Sequence, residues 1–212
     1  MKNKRSLSLY YCHESHSSDE ALWIIGFRIN PDNVDPEVYT LIVQRDKYRP
    51  LVVNGQIVFF SKPHLANRAL ELAEPDIKRL GPAPKDVALV CDVAKTLHLV
   101  ESGNIDPSAT IVNCLNTLGD LVADIGLPMP TNHKRILNTF ADHLTFNRKF
   151  GNFLVQENIS RSAIIDAILW CIGTIVSKAR FILDRGVNRH KARNLQKGRS
   201  RSLRKRALMQ RT

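Results

Sequence analysis

Residues 185–212 hold the clearest chemical signal of the chain, a dense run of cations. This segment contains eleven Lys or Arg and no Asp or Glu. Besides Arg185 they are Arg189, Lys191, Arg193, Lys197, Arg199, Arg201, Arg204, Lys205, Arg206 and Arg211. Lys and Arg at this density neutralise phosphates and release their counterions, which gives an affinity that falls steeply as salt rises. We therefore expect the ten cations from Arg189 to Arg211 to contact nucleic acid or another polyanion.

Such binding is expected to be independent of base sequence. No aromatic residue follows Phe181, so the bases of a single strand would find no ring on which to stack. Two other interpretations of the segment remain open. In the first interpretation the segment is a solvated extension that serves only solubility. In the second it is attracted to anionic lipid through a weakly apolar side that includes Leu195, Leu203 and Leu208.

The rest of the chain carries no excess charge and no common catalytic motif. Of the thirty-one Lys and Arg in the chain, twenty remain in residues 1–184, where they face twenty Asp and Glu. There is no GxxxxGK[ST] loop, no GxGxxG after a strand and no GxSxG elbow. We therefore assign no catalytic residue and no cofactor. An active site assembled from scattered residues remains an alternative.

Four residues near the N-terminus have side chains of the types that bind zinc. Cys12, His13, Glu14 and His16 lie within five residues of one another. A zinc finger would need a second ligand pair at a characteristic spacing, and no nearby residues supply one. We interpret this segment as part of a solvated arm and expect no metal site.

Two carboxylates on predicted helices are the remaining candidates for proton chemistry. Asp142 stands beside His143, but this histidine borders the apolar stripe of Phe140 and Leu144, which favours a local structural role. Asp166 interrupts the apolar run of the last helix. Because a buried and unpaired carboxylate is costly or takes up a proton, we expect Asp166 to have an ion-pair partner or to face outward.

The elements that must position these residues begin with short strands. Apolar and polar residues alternate over residues 22–29, and a second apolar run covers residues 39–44. This pattern predicts two strands. Ser61 and Pro63 then indicate the start of a helix, because proline is tolerated in the first helical turn.

Asn54-Gly55 predicts a tight hairpin after the second strand. Both central residues of a type I′ turn have positive φ, and Asn and Gly tolerate this best. A two-residue turn sets Val52 opposite Ile57. Both faces of the hairpin are apolar, so one face is expected to take a helix. The other face needs a second cover, either the helical half of the chain or a partner protein.

Helical spacing dominates beyond Pro84. The predicted helices span Asp86–Glu101, Asp106–Ile125, Thr131–Phe146 and Ser160–Arg185. The longest apolar run, Ala163–Val176, is shorter than the roughly 20 residues that span a bilayer. We therefore expect the last helix to be a central helix, buried on most sides.

The N-terminal residues and the cysteines indicate in which cellular compartment the chain is expected. Met1–Tyr10 contains cations but no apolar run after them, so we expect no signal peptide. The cysteines are Cys12, Cys91, Cys114 and Cys171, with no CxxC spacing, and we expect all of them to be reduced. Both observations favour the cytoplasm or another internal compartment over secretion.

The expected fold is α+β, with a small antiparallel sheet, one packed helix, a bundle of four to five helices and a basic tail. We divide the chain into a polar arm (1–18), a β-sheet and helix subdomain (19–80), a helical subdomain (82–185) and the basic tail (186–212). Our hypothesis is a non-catalytic binding component that contacts nucleic acid or a nucleoprotein through the tail while the body docks a protein. The alternatives are an adaptor protein with an incidental tail and an enzyme with a dispersed site.

Overall fold

The computed structural model describes residues 20–104, 109–146 and 150–184, apart from the side chains of residues 150–152. Its fold is mixed α+β. The strands are β1 (Ala21–Arg28), β2 (Val38–Gln44), β3 (Tyr48–Pro50), β4 (Val52–Val53), β5 (Gln56–Phe60), β6 (Val87–Asp92) and β7 (Ala179–Ile182). The helices are α1 (Ala66–Leu70), α2 (Pro75–Lys78), α3 (Val93–Ser102), α4 (Thr110–Asp124), α5 (Thr131–Phe146), α6 (Phe150–Gln156) and α7 (Arg161–Ser177). The predicted start of α4 at Asp106 lies outside the described residues.

The seven described strands form one mixed sheet. Strand β2 pairs antiparallel with β1, β3 and β5, and β4 pairs antiparallel with β5. The pairs β1–β6 and β5–β7 are parallel. Among the described strands the order is β4-β5-β2-β1-β6, with β3 paired to β2 and β7 paired to β5, so β3, β4, β6 and β7 each have a single partner. The expectation of a small antiparallel sheet was therefore wrong in size and in strand direction.

Strand β6 replaces the first half of a predicted helix. Residues 86–101 were expected to be one helix, but Val87–Asp92 is a strand and α3 begins only at Val93. The change occurs at Asp92, whose side chain accepts a hydrogen bond from the backbone N–H of Lys95 at 3.0 Å and so caps α3. A short apolar run is compatible with the periodicity of a helix and with that of a strand, and pairing with β1 stabilises the strand.

Strand β7 shortens the last predicted helix. That helix was expected to reach Arg185, but α7 ends at Ser177 and residues 179–182 pair with β5. The Ile57 amide donates to the Lys178 carbonyl at 2.9 Å, which starts the pairing. The ring of Phe181 stacks on Phe59 with centroids 5.6 Å apart. Tertiary pairing here outweighs helix propensity.

The sheet is covered on both faces by helices. Ile57 and Phe59 of β5 point into a core shared with α4, α5 and α7. Val58 and Phe60 of the same strand point into a second core that includes residues of α1. The hairpin face that needed a second cover is thus covered by the helical half of the same chain.

The turn between β4 and β5 has the backbone that its two residues favour. Asn54 and Gly55 have φ of 52° and 73°. Val52 stands opposite Ile57, and Val53 stands opposite Gln56. The turn therefore aligns Ile57 with the first core.

Gly26 of β1 lies against Pro36 without room for a side chain, and we predict that Gly26→Ala destabilises the fold. An added Cβ would lie 2.7 Å from Cγ of Pro36. Pro36 is held in place because the Tyr39 hydroxyl donates to its carbonyl at 2.9 Å. The free energy of unfolding in urea should fall by about 1 to 3 kcal/mol.

Gly119→Ala is the matched control, because an added Cβ at Gly119 of α4 would have no atom within 4 Å. This control should gain about 0.5 to 1 kcal/mol, since alanine is the better helix former. Equal effects of the two substitutions would contradict the steric explanation at Gly26.

Candidate nucleic-acid interface

The predicted nucleic-acid contacts, Arg189 to Arg211, all lie outside the described residues. Their positions relative to one another are therefore known only from the sequence. The described body contributes a cavity lined by charged groups and cations of its own. Both bear on which part of the chain would bind a polyanion.

Several body cations are already paired with carboxylates. Arg45 contacts Asp76 at 2.8 Å and Glu20 at 3.3 Å. Arg49 lies 4.0 Å from Asp124. These pairs are partly exposed, so each contributes little to stability, but each reduces the positive potential at its site. The basic segment, by contrast, has no acidic residue in its own sequence.

The best-buried ion pair joins Arg28 to Asp92 at the carboxyl ends of the parallel strands β1 and β6. Their side chains are 26% and 13% exposed. The hydrogen bond from Arg28 to Asp92 raises the pKa of the guanidinium. Asp92 also caps α3, so both of its oxygens are used. The pair therefore has a structural role in linking β1, β6 and α3.

A cavity of about 430 Å³ lies beside the turn between β2 and β3. Its charged lining residues are Arg45, Asp46, Lys47, Arg49, Glu74, Asp76 and Asp124. Both signs of charge occur, and the ion pairs described above join some of them across the cavity. An enzyme with a dispersed site would need a convergence of charged groups of this kind.

Asp120 and Asp124 form a carboxylate pair on α4 that sequence reasoning missed. Burial, and then the nearby charge of Asp124, raise the pKa of Asp120 to about 7. Burial also raises the pKa of Asp124, while Arg49 and Lys47 oppose the rise. The spacing of four residues was a readable signal, because it places two like charges on one side of a helix.

The histidine and the two carboxylates singled out from the sequence lie on α5 and α7. His143 packs against Phe153 with ring centroids 5.0 Å apart, while Asp142 beside it is exposed. His133 faces Trp170 with centroids 6.0 Å apart. Asp166 is exposed on α7, so it faces outward, one of the two outcomes expected of it.

The three described cysteines lie in the core. Cys91, Cys114 and Cys171 are free and buried, and the sulfurs of Cys91 and Cys114 are 3.3 Å apart. The contact with Cys114, followed by burial, raises the pKa of Cys91 well above that of an ordinary thiol. Burial raises the pKa of Cys171 to about 12. Because the thiolate is the reactive form, the thiols of Cys91 and Cys171 are poor nucleophiles.

Metal binding and membrane insertion depend on side chains that the described ranges include only in part. Within those ranges no group of three or more His, Cys, Asp or Glu side chains is placed to hold a metal ion. The segment with Cys12, His13, Glu14 and His16 lies outside them. None of the helices in the same ranges has the length and apolarity needed to cross a membrane.

Comparison of the chain with family models, with curated proteins and with solved structures found no match. The functional conclusion therefore rests on the chemistry of this chain alone.

We predict that Asp120→Asn changes how stability depends on pH. An unfolded Asp titrates near 3.9, whereas Asp120 in the fold titrates at about 7. Between these values the folded protein binds the additional proton, so its stability falls as pH rises from about 4 to about 7. The substitution removes this loss.

Urea unfolding from about pH 4 to about pH 8 measures the effect. Parent and variant should be nearly equally stable near pH 4, because Asp120 is then neutral in the fold and only about half ionised in the unfolded chain. Near pH 8 the variant should be more stable, by up to about 4 kcal/mol for a shift of about three pKa units. A difference that stays constant across the pH range would show that Asp120 is not the titrating group.

Proposed function

We propose that this chain is a non-catalytic binding component that contacts nucleic acid or a nucleoprotein through its basic C-terminal segment. The contact is with phosphates and does not depend on base sequence. The body supplies a folded platform that docks a protein. One observation carries the proposal: all of the net positive charge of the chain lies in residues 185–212, where no acidic residue offsets it.

The distribution of charge in the body supports this assignment. Cations at Arg28, Arg45 and Arg49 have carboxylate neighbours, and residues 1–184 are neutral in sum. A polyanion is therefore attracted mainly to the C-terminal segment, where counterion release contributes most to affinity.

The proposed docking of a protein partner by the body does not depend on the hairpin. Its second apolar face was one motive for a protein partner, but the helices cover that face. Large apolar side chains remain exposed at several places in the described fold, including Leu169 and Val176 of α7 and Phe181 of β7. A protein partner is expected on such a surface.

An enzyme is the second candidate, favoured by one observation. Charged groups converge on the cavity beside the β2–β3 turn, and the pKa of Asp124 at its wall is raised by burial. Perturbed carboxylates in a cavity are frequent at active sites but also occur in structural ion-pair networks. The pairing of Arg45 with Asp76 favours the structural interpretation.

We predict that binding to nucleic acid depends on where the charge is placed and not only on its total. In the test variant five cations of the C-terminal segment become Gln. They are Arg199, Arg201, Arg204, Lys205 and Arg206. In the matched control variant five exposed cations of the body become Gln, which changes the net charge equally. They are Lys62, Arg68, Lys78, Arg79 and Lys85.

Fluorescence anisotropy with labelled DNA and RNA, as duplexes and single strands, measures affinity at about 50 and about 200 mM salt. If about six cations engage, the parent should lose affinity roughly a thousandfold over this range. The C-terminal variant should bind much more weakly, with a log–log salt slope smaller by up to about four. The body variant should bind like the parent.

Two outcomes would contradict the proposal. Equal losses in the two variants would indicate a diffuse attraction to net charge, and unchanged binding by the C-terminal variant would make that segment a bystander. If the chain were found to turn over a substrate and Asp124→Asn abolished that turnover, the result would favour an enzyme instead.

A further inference from the structure

Two of the buried cysteines lie side by side in the first core. Cys91 belongs to β6 and Cys114 belongs to α4, and these two residues are 1% and 0% exposed. Their sulfur atoms are 3.3 Å apart. The contact therefore joins a strand that has a single partner in the described sheet to one of the long helices that cover it.

The separation of the two sulfurs leaves a short path to a covalent bond. The sulfurs of a disulfide are about 2.05 Å apart, so these two atoms would have to approach by only about 1.3 Å. Rotation of the two side chains and small shifts of β6 and α4 can supply this movement. The two cysteines are 23 positions apart in the sequence, so the bond would close a loop that contains the whole of α3.

We propose that Cys91 and Cys114 form a dithiol that a peroxide oxidises to a disulfide, which crosslinks β6 to α4 in the folded chain. In the described structure both thiols are free, and the crosslink is the product of exposure to the oxidant. Disulfides in reducing compartments are usually transient and serve catalysis or redox sensing. The inference does not rest on the proposed function, and it adds a modification site to the body.

The oxidation consumes one peroxide for each pair of thiols. The thiolate of one cysteine attacks a peroxide oxygen, the O–O bond breaks, and the departing hydroxide takes up the proton that this thiol released. The product is a sulfenic acid, S–OH. The sulfur of the second cysteine then attacks the sulfenic sulfur, so that the S–S bond forms and the S–O bond breaks with loss of water. Two thiols and one hydrogen peroxide thus give one disulfide and two waters, and the two electrons lost by the sulfurs reduce the peroxide.

The reaction is expected to be slow in the folded chain. The contact with Cys114, followed by burial, raises the pKa of Cys91, so little of its reactive thiolate is present. Both sulfurs are enclosed by the core, so peroxide has to enter when the structure opens locally. The pair should therefore respond to sustained exposure to the oxidant and remain reduced after a brief one.

Cys171 of α7 provides an internal comparison. It is free and buried in the same core, and burial raises its pKa to about 12. An oxidant that merely reached buried thiols would modify Cys171 as well. Oxidation confined to Cys91 and Cys114 would instead reflect the contact between these two sulfurs.

Peptide mapping of the full chain after treatment with a graded series of hydrogen peroxide concentrations tests the proposal. The treated protein is quenched in acid, unfolded, alkylated with N-ethylmaleimide and digested without reductant. A Cys12→Ser background removes the cysteine that lies outside the described residues. We expect two peptides joined through Cys91 and Cys114, released by dithiothreitol, with Cys171 alkylated. Absence of this pair after prolonged exposure, or its formation only when the chain is first unfolded in urea, would overturn the proposal.

Cys114→Ala and Cys171→Ala form a matched pair of variants, because each removes one fully buried thiol. Thermal unfolding is measured before and after peroxide treatment. In the parent and in Cys171→Ala the crosslink should raise the midpoint by about 5 °C or more, because it restricts the unfolded chain. Cys114→Ala should show no rise. An equal response of the two variants would contradict the pairing, and peptide mapping of the parent decides the question even if a variant fails to fold.

Discussion

The architecture follows from one constraint, which is that the central strand β5 is apolar on both faces. Ile57 and Phe59 point to one side of the sheet, while Val58 and Phe60 point to the other. Apolar surface on both faces must be removed from water, so the chain has to supply two separate covers. The short helix α1 forms part of one cover, and the long helices α4, α5 and α7 form the other. Five strands precede the helices in the sequence, whereas β6 follows α2 and β7 follows α7.

Local sequence patterns predicted the elements that neighbouring residues stabilise. They failed for the strands that form only by pairing with a strand distant in the sequence. The alternation in β1 and the Asn54-Gly55 turn can be read from neighbouring residues, because each constrains its own backbone. Residues 87–92 and 179–182 join the sheet edges through partners that are distant in sequence. Their apolar spacing fits a helix equally well, so no local pattern distinguishes the two structures.

The candidate sites also differ in whether the sequence alone can reveal them. A charge asymmetry is a property of composition, so the basic segment is visible without a fold. The elevated pKa of Asp120 comes first from burial, which depends on what packs against α4. The exposure of Leu169 and Val176 on α7 was equally hidden, because the sequence predicted a helix buried on most sides without indicating which side stays uncovered.

The parallel pairing of β5 with β7 has a consequence for how the molecule folds. Phe59 meets Phe181 across more than half of the chain, and the closure of so long a loop has an entropic cost before any contact compensates for it. During synthesis β5 therefore emerges long before its outer neighbour exists. Until Ile182 has been made, that strand is an apolar edge, the kind of segment that pairs with the wrong chain. The order of synthesis thus makes the nascent chain most vulnerable to aggregation just before the body is complete.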